Sequence, residues 1–229
     1  IKEICFEATD EELKKTQNAQ LCIAAMSLAV LEVINKKGIK AEYAAGLSLG
    51  EYVGLVNGGV LSMEGCFKLL KMRRYFMENL IPNEEYSMAA IIGLDSKEIE
   101  RVCEDIRKEG EFVVPANYNY SAQTVISGNK EAVAKAMVAL KAKGAKRAIE
   151  LNTSGPFHTE KLEEARKEYE KELKKITFGN GNEVKVIKNL DGKLYTKSDD
   201  FVDILSKHIV SPVRFDKALS IFAENNIDN

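Results

Sequence analysis

The chain has 229 residues, 45% of them hydrophobic, and its 33 Lys and Arg nearly balance its 35 Asp and Glu. This length and apolar content are enough for the core of one or two domains. The net charge of -2, with no dense basic run, gives no electrostatic support for binding to nucleic acid or to an anionic membrane surface.

The first part of the chain combines long helices with a short apolar strand. Apolar residues recur at helical spacing over 17–37, and Gly38 ends this helix. A buried strand is predicted over 41–45, directly before a Gly-rich turn. A second long helix is predicted over 62–80, with the Ser62 side chain capping its start.

A different pattern in the middle of the chain predicts a small domain. Its elements are a strand at 88–93, a helix at 96–108, strands at 112–117 and 123–128, a helix at 130–143 and a strand at 146–151. This β-α-β-β-α-β order is typical of a ferredoxin-like module. We expect it at 85–152, inserted into a large α/β domain made of 1–84 and 153–229. The large domain resumes with a helix at 159–175, a strand at 184–188 and helices at 199–209 and 212–225.

The pentapeptide Gly46-Leu47-Ser48-Leu49-Gly50 has the spacing of a nucleophile elbow. Glycine on both sides lets the backbone approach closely, and the strained turn leaves the serine hydroxyl exposed. The helix that follows supplies N–H groups for a developing oxyanion. The alternative is chance, since such a pentapeptide arises roughly one time in twenty at this Gly and Ser content. The strand–turn–helix context favours the functional interpretation.

A serine nucleophile needs a base, and the chain has two histidines. His158 follows a Gly-Pro pair in a loop between the last strand of the small domain and a helix, where catalytic side chains concentrate. The alternative for His158 is a loop histidine that caps backbone groups. His208 falls in the last turn of a helix, where the helix dipole favours a positive ring. We predict His158 as the base.

Arg73 lies near the centre of the apolar face of the helix at 62–80. A guanidinium on a buried face cannot lose its charge, so it must be paired or must face a ligand. Two interpretations stay open. One is an ion pair with an internal acid, and the other is a bidentate clamp for a substrate carboxylate.

Two asparagines near the end of a predicted strand are the remaining polar candidates. Asn117 and Asn119 alternate along the strand, so both face one side and could line a shared cleft. Asparagines also form turns, and that interpretation explains them without a ligand.

The four cysteines are widely separated and show no Cys-x-x-Cys spacing, and only two histidines accompany them, so no metal site is predicted. Cys22, Cys66 and Cys103 fall inside apolar helical patterns, which predicts buried thiols in a reducing compartment. We recognise no signal peptide and no apolar run long enough to span a bilayer. We therefore expect a cytoplasmic protein that does not enter a membrane.

Three motifs occur in order along the chain: Gly46-Leu47-Ser48-Leu49-Gly50-Glu51-Tyr52, Met72-Arg73 on the next long helix, and Phe157-His158. Together they resemble the malonyl-CoA:acyl carrier protein transacylases. Supporting matches run through 88–94, 125–128, 144–148 and 211–213. The resemblance covers essentially the whole chain, so it does not depend on a single motif.

The resemblance implies an α/β-hydrolase-like large domain with an inserted ferredoxin-like small domain, in agreement with the order of elements. It implies Ser48 as the acylated nucleophile, His158 as its base and acid, and Arg73 as the clamp on the malonyl carboxylate. It also implies that the Leu49 N–H lines the oxyanion hole and that the backbone carbonyl of His208 orients the catalytic histidine.

The chain departs from the family pattern in four places. Leu47 replaces the histidine that usually precedes the serine, and His208 stands where family members often carry Gln. The first change affects local packing of the elbow, and the second has little effect because a backbone carbonyl serves whatever the side chain. The family's N-terminal Gly-Gln-Gly-Ser-Gln segment, whose glutamine supplies the other oxyanion donor, and its C-terminal Gly-Pro-Gly segment do not occur. We therefore expect a fragment with an incomplete oxyanion hole.

The resemblance implies ping-pong transfer of a malonyl group from malonyl-CoA to the phosphopantetheine thiol of acyl carrier protein, in fatty acid or polyketide synthesis. Phe157 before the histidine resembles malonyl-selective rather than methylmalonyl-selective relatives. Two alternatives stay open: a serine esterase or thioesterase, and an inactive domain that only docks carrier protein. Malonyl-CoA is a substrate, and no bound cofactor is expected. The mixed charged surface gives no indication of a large interface, so we expect a monomer.

Overall fold

The computed structural model describes residues 2–9, 12, 16–153 and 155–227. The helices are α1 (Lys2–Glu7), α2 (Thr16–Lys36), α3 (Gly50–Asn57), α4 (Met63–Asn79), α5 (Ser96–Lys108), α6 (Lys130–Ala142), α7 (Glu163–Leu173), α8 (Phe201–His208) and α9 (Phe215–Glu224). The strands are β1 (Tyr43–Ala44), β2 (Tyr86–Ile92), β3 (Val113–Tyr120), β4 (Gln123–Asn129), β5 (Arg147–Glu150), β6 (Lys185–Val186) and β7 (Val213–Arg214).

The larger sheet has the strand order β5-β2-β4-β3-β7. Its first four strands are antiparallel, whereas β7 joins the edge of β3 in parallel through the pairs Asn117–Val213 and Tyr118–Arg214. The predicted helix at 212–225 therefore begins only at Phe215, because residues 213 and 214 pair as a strand.

The two faces of this sheet pack against different parts of the chain. Ala89 and Ile91 of β2 belong to a core shared with α5 and α6, whereas Met88 and Ala90 lie in a separate cluster against which Phe157 packs. This alternation is the two-residue period of a strand. As a result, the loop that carries His158 is anchored on the sheet face opposite the helices.

A second, two-stranded sheet pairs β1 with β6 in parallel, with Tyr43 opposite Lys185 and Ala44 opposite Val186. The predicted strands at 41–45 and 184–188 are thus present but short. Because the carboxyl ends of parallel strands meet at one edge, the turn after β1 and the residues after β6 lie side by side. The serine turn is therefore adjacent to Asn189.

The core of the larger part of the molecule lies between α2, α3, α4, α7 and α8, which contribute the buried residues Ala24, Tyr52, Leu70, Tyr169 and Leu205. Two phenol hydroxyls inside this core are hydrogen-bonded to each other, since Tyr169 donates to the Tyr52 hydroxyl over 2.8 Å. This core packs directly behind the serine turn and α4, so it supports both.

The helix α2 carries a long apolar face that this core only partly covers. Ile23, Met26 and Val33 are more than half exposed. The stretch Asn18–Lys36 is long and apolar enough to cross a membrane by length and composition, so the expectation that no such run exists was wrong. Polar residues interrupt this stretch, so the sequence shows no continuous apolar run although the mean hydropathy is high. A core helix of a soluble protein can meet the same criterion.

Candidate active site

Ser48 lies on a tight turn between β1 and α3, with φ of 53°. This left-handed conformation is rare for a residue with a side chain, and it is found where the surroundings hold the backbone firmly. At Gly46, an added Cβ would lie 2.0 Å from the carbonyl carbon of Gly50, so only glycine fits there. At Gly50, in contrast, an added Cβ would meet open space. The close backbone approach therefore requires glycine at position 46, whereas the expectation that it also requires glycine at position 50 is wrong.

Asn189 holds the turn from the neighbouring strand end. Its Oδ1 accepts from the Ser48 N–H over 2.6 Å, and its Nδ2 donates to the Gly46 carbonyl over 2.7 Å. The sequence interpretation missed this residue. Its position directly after the predicted strand at 184–188 was a usable signal, because polar side chains at that end of a parallel strand face the site.

The structure brings Ser48 and His158 together, with 2.8 Å between Ser48 Oγ and His158 Nε2. On the other side of the ring, His158 Nδ1 lies 3.0 Å from the His208 carbonyl oxygen. Because a carbonyl only accepts, Nδ1 carries the proton and Nε2 is free to accept from the serine hydroxyl. This is the tautomer that general-base catalysis at Ser48 requires.

His158 is held in an uncommon backbone conformation, with φ of 61°. The adjacent Thr159 fixes the turn, since its hydroxyl donates to the Pro156 carbonyl over 2.6 Å. The His208 carbonyl, which accepts the hydrogen bond from Nδ1–H, ends α8, where the last carbonyls lack helical partners and lie at the negative end of the helix dipole. Such a carbonyl stabilises a ring that becomes positive during proton transfer.

Burial, together with the positive charge of Arg73, lowers the pKa of His158 to about 3. The ring is therefore neutral at neutral pH and available as a proton acceptor. Burial also lowers the pKa of His208 well below its ordinary value of 6.5. The interpretation of His208 as a positive ring favoured by the helix dipole was thus wrong, because burial keeps the ring neutral.

Arg73 extends from α4 into the same site and is 1% exposed. Its Nη2 donates to Ser48 Oγ over 2.9 Å, and its Nη1 donates to Gln20 Oε1 over 3.3 Å. Its Nε has no hydrogen-bond partner, and no carboxylate of the described residues forms an ion pair with it. The guanidinium lies 5.9 Å from the centre of the Tyr52 ring. The sequence left open an ion pair between Arg73 and an internal acid. The described residues contain no such ion pair.

Glu51, in the first turn of α3, is fully buried beside this cluster. Its Oε1 accepts from the Tyr195 hydroxyl over 2.7 Å and from the Asn189 N–H over 3.2 Å. Its Oε2 lies 3.1 Å from His208 Nδ1. The sequence interpretation assigned no role to Glu51 or to Gln20, because their contacts are with His208 and Arg73, which are distant from them in the chain.

Of the other predicted site residues, Leu49 contributes only its backbone to the site, and the remaining ones lie further from Ser48. Leu49 follows Ser48 directly, and its N–H has no hydrogen-bond partner among the described residues. Phe157 packs between the two cores and against Gly155. Asn117 is buried in β3, and Asn119 donates to Gln123 across the hairpin over 3.0 Å. Within the described part of the chain, no hydrogen bond joins either asparagine to Ser48, and the contact of Asn119 favours its interpretation as a turn residue.

The described residues contain no group of three or more His, Cys, Asp or Glu side chains placed to hold a metal ion. The groups around Ser48 Oγ are a neutral histidine and a buried cation that has no ion-pair partner among the described residues. This set can form an ester with an acyl group that itself carries a negative charge.

The acyl transferase domain family matches residues 1–228 of the chain. The chain belongs to this family. This acyl transferase domain is 40% identical over 220 residues to the malonyl CoA-acyl carrier protein transacylase of Escherichia coli strain K12, covering 96% of this chain and 71% of that one. The resemblance inferred from the motifs is thus confirmed.

Solved structures agree with the sequence match. The malonyl CoA-acyl carrier protein transacylase of Coxiella burnetii superposes with a TM-score of 0.92 at 34% identity, covering 98% of this chain and 71% of that one. A malonyl-transacylase in complex with a type II PKS acyl-carrier protein superposes with a TM-score of 0.91 at 34% identity, covering 98% and 72%. The acyl transferase domain therefore has the mixed α/β fold of these enzymes.

Proposed function

We propose that this acyl transferase domain transfers a malonyl group from malonyl-CoA to the phosphopantetheine thiol of acyl carrier protein, in fatty acid or polyketide synthesis. The observation that carries the proposal is the buried Arg73 guanidinium, unpaired by any described carboxylate and 2.9 Å from Ser48 Oγ. A cation in that position suits an acyl group that ends in a carboxylate. The names of the E. coli relative and of the carrier-protein complex support the same substrate and partner.

In the first half of the reaction, Ser48 Oγ attacks the thioester carbonyl carbon while His158 Nε2 takes the hydroxyl proton. The N–H of Leu49 at the start of α3 donates to the oxyanion that forms. The C–S bond then breaks, and His158 returns the proton to the leaving CoA sulfur. The product is a malonyl ester of Ser48.

In the second half, the pantetheine thiol gives its proton to His158 Nε2 and attacks the ester carbonyl. The C–O bond to Ser48 breaks, and the serine oxygen recovers the proton from the ring. Through both halves, the His208 carbonyl keeps the Nδ1 proton in place, so that Nε2 alone exchanges protons.

Arg73 has two effects in this scheme. Its guanidinium binds the malonyl carboxylate with charge-assisted hydrogen bonds. The same pairing offsets the positive charge that helps to lower the pKa of His158, so a bound malonyl group makes the ring a stronger base. An acetyl group provides neither effect and leaves a buried cation unpaired.

We propose the same division of the fold that the element order predicts. The strand order β5-β2-β4-β3, with α5 and α6 packed on one face, is consistent with a ferredoxin-like small domain at 85–152. It would be inserted into an α/β-hydrolase-like large domain of 1–84 and 153–229. We also propose a cytoplasmic monomer, in keeping with four cysteines that are all free thiols.

The full chain incubated with malonyl-CoA and analysed by intact mass tests the function. We expect the mass to rise by one malonyl group on the wild type and to stay unchanged in Ser48→Ala. The adduct should persist in buffer and disappear when a carrier-protein thiol is added. An adduct that disappears in buffer alone would indicate an esterase or thioesterase instead. No adduct on a folded wild-type chain would indicate an inactive domain that only docks carrier protein.

A further inference from the structure

Two buried ionisable side chains that the acyl transfer does not use lie beside the catalytic histidine. Glu51 and His208 are each 0% exposed, and 3.1 Å separates Glu51 Oε2 from His208 Nδ1. Glu51 belongs to the helix that follows the serine turn, whereas His208 ends α8 and supplies the carbonyl that accepts from His158. Their contact therefore joins the element of the nucleophile to the element that orients the base.

Glu51 is held rigidly on its other side. Oε1 accepts from the Tyr195 hydroxyl and from the N–H of Asn189, whose own side chain holds the serine turn. Oε2 and His208 Nδ1 lie 3.1 Å apart without the geometry of a hydrogen bond, and within the described part of the chain neither these two atoms nor His208 Nε2 has a hydrogen-bond partner. Burial of such atoms is destabilising, and the contact between Oε2 and Nδ1 offsets part of that cost, so each of these two side chains constrains the position of the other.

Burial favours the neutral form of both side chains. Burial raises the pKa of Glu51 to about 7, and burial lowers that of His208. The other charged or titratable groups that act on the pair are Arg73 on α4, Tyr52 on α3, His158, and Asp191 and Tyr195 after β6. The positive charge of Arg73 favours the ionised form of Glu51. Among the described residues, however, the two side chains form no ion pair.

We propose that the buried polar contact between Glu51 and His208 positions the His208 carbonyl, and through it the His158 ring, for proton transfer from Ser48. Both are positioning residues, since neither touches the reacting atoms. A general base displaced by about 1 Å can lose roughly a hundredfold in rate, so the carbonyl must be held firmly. The inference rests on the proposed function in one respect: the step that the two positioning residues affect is the acylation of Ser48.

The test uses the full chain with 15N-labelled histidine, because only two rings give signals. His208→Leu removes the polar contact with Glu51 Oε2, whereas His208→Gln restores a polar side chain at that position. Lys207→Gln, at an exposed position one residue away, is the matched control. The readouts are the Nδ1 proton of His158 and the rate of Ser48 acylation by malonyl-CoA.

We expect His208→Leu to slow acylation by roughly tenfold to a hundredfold at unchanged KM, with loss of the His158 Nδ1 signal. His208→Gln should recover most of that loss, and Lys207→Gln should behave as wild type. If His208→Leu does not fold, Glu51→Gln, which keeps the volume, is expected to show the same slowing. An undisturbed His158 signal and rate in the folded His208→Leu variant, or in the folded Glu51→Gln variant, would overturn the proposal.

Modification of Ser48 by phenylmethylsulfonyl fluoride separates this proposal from the proposed function, because it needs the same serine and histidine but no malonyl group. If malonyl-CoA leaves the wild type unmodified while the fluoride reacts, the proposed function fails. The positioning role is then decided by the variants in the fluoride reaction, with the same expected slowing.

Discussion

At the scale of single residues, substrate choice depends on Arg73. A carboxylate on the acyl group pairs with its guanidinium, whereas an acetyl group leaves the cation buried without a partner. We expect Arg73→Ala to lower kcat/KM for malonyl-CoA by roughly tenfold to a hundredfold, because charge-assisted hydrogen bonds contribute about 1.5–3 kcal/mol. Acetyl-CoA should then compete, and the measurement is the malonyl-to-acetyl ratio of kcat/KM in the acylation of Ser48.

The neighbouring arginine gives this experiment a matched control. Arg74 lies on the same helix turn but pairs with Glu78 at 3.8 Å and does not contact Ser48. Arg74→Ala should leave the ratio unchanged. A ratio that stays constant in Arg73→Ala as well would show that another group selects the acyl chain.

At the scale of the elements, the serine turn depends on one glycine and not on its partner. The Cβ of an alanine at Gly46 would overlap the carbonyl of Gly50, whereas an alanine at Gly50 has free space and a helix to extend. We expect Gly46→Ala to lower the free energy of unfolding by about 2–4 kcal/mol. Gly50→Ala should leave it unchanged or slightly raised, and urea unfolding measures both.

Acylation of Ser48 provides the second comparison for the turn. If Gly46→Ala distorts the elbow, malonyl adduct formation should be lost even under conditions where the variant is still folded. Equal stability of the two alanine variants would contradict the close approach of the Gly50 backbone to Gly46 and the role of that glycine in the turn.

At the scale of the whole molecule, the buried histidines make stability depend on pH. His158 and His208 stay neutral when folded but take up a proton near pH 6.5 when unfolded. The free energy of unfolding therefore falls below pH 6.5, by up to about 1.4 kcal/mol per pH unit for each ring. Glu51 acts in the opposite direction. Its stabilisation is full below its ordinary pKa of 4.5 and is lost as pH rises through about 7.

The variant His208→Gln isolates one of these contributions. With one histidine removed, the remaining effects of His158 and Glu51 largely offset each other between pH 5 and pH 7. We expect the loss of stability on acidification to be smaller in His208→Gln than in the wild type, measured by urea unfolding at several pH values. A wild type as stable at pH 5 as at pH 7 would contradict the neutral state of both rings.

Local patterns were sufficient for most of the elements and for the central chemistry. The order of strands and helices over 88–151 follows from hydrophobic periodicity, since each element buries one face. Ser48, His158 and Arg73 stood out because a Gly-flanked serine, a loop histidine and a cation on an apolar helix face each break a local rule. Such departures can be recognised in the sequence without knowing the tertiary contacts of the residue.

The sequence by itself determined the family, the elements and the three residues whose types carry the chemistry. Only the tertiary structure decided which partners complete them. Asn189 reaches Ser48 across 141 positions, and Gln20 reaches Arg73 across 53. The contact between Glu51 and His208, and the absence of an ion-pair partner for Arg73 among the described residues, likewise depend on how α2, α3, α4 and α8 pack. Contacts between distant positions leave no periodic trace in a single chain, because they are set by packing between elements and not by the pattern within one.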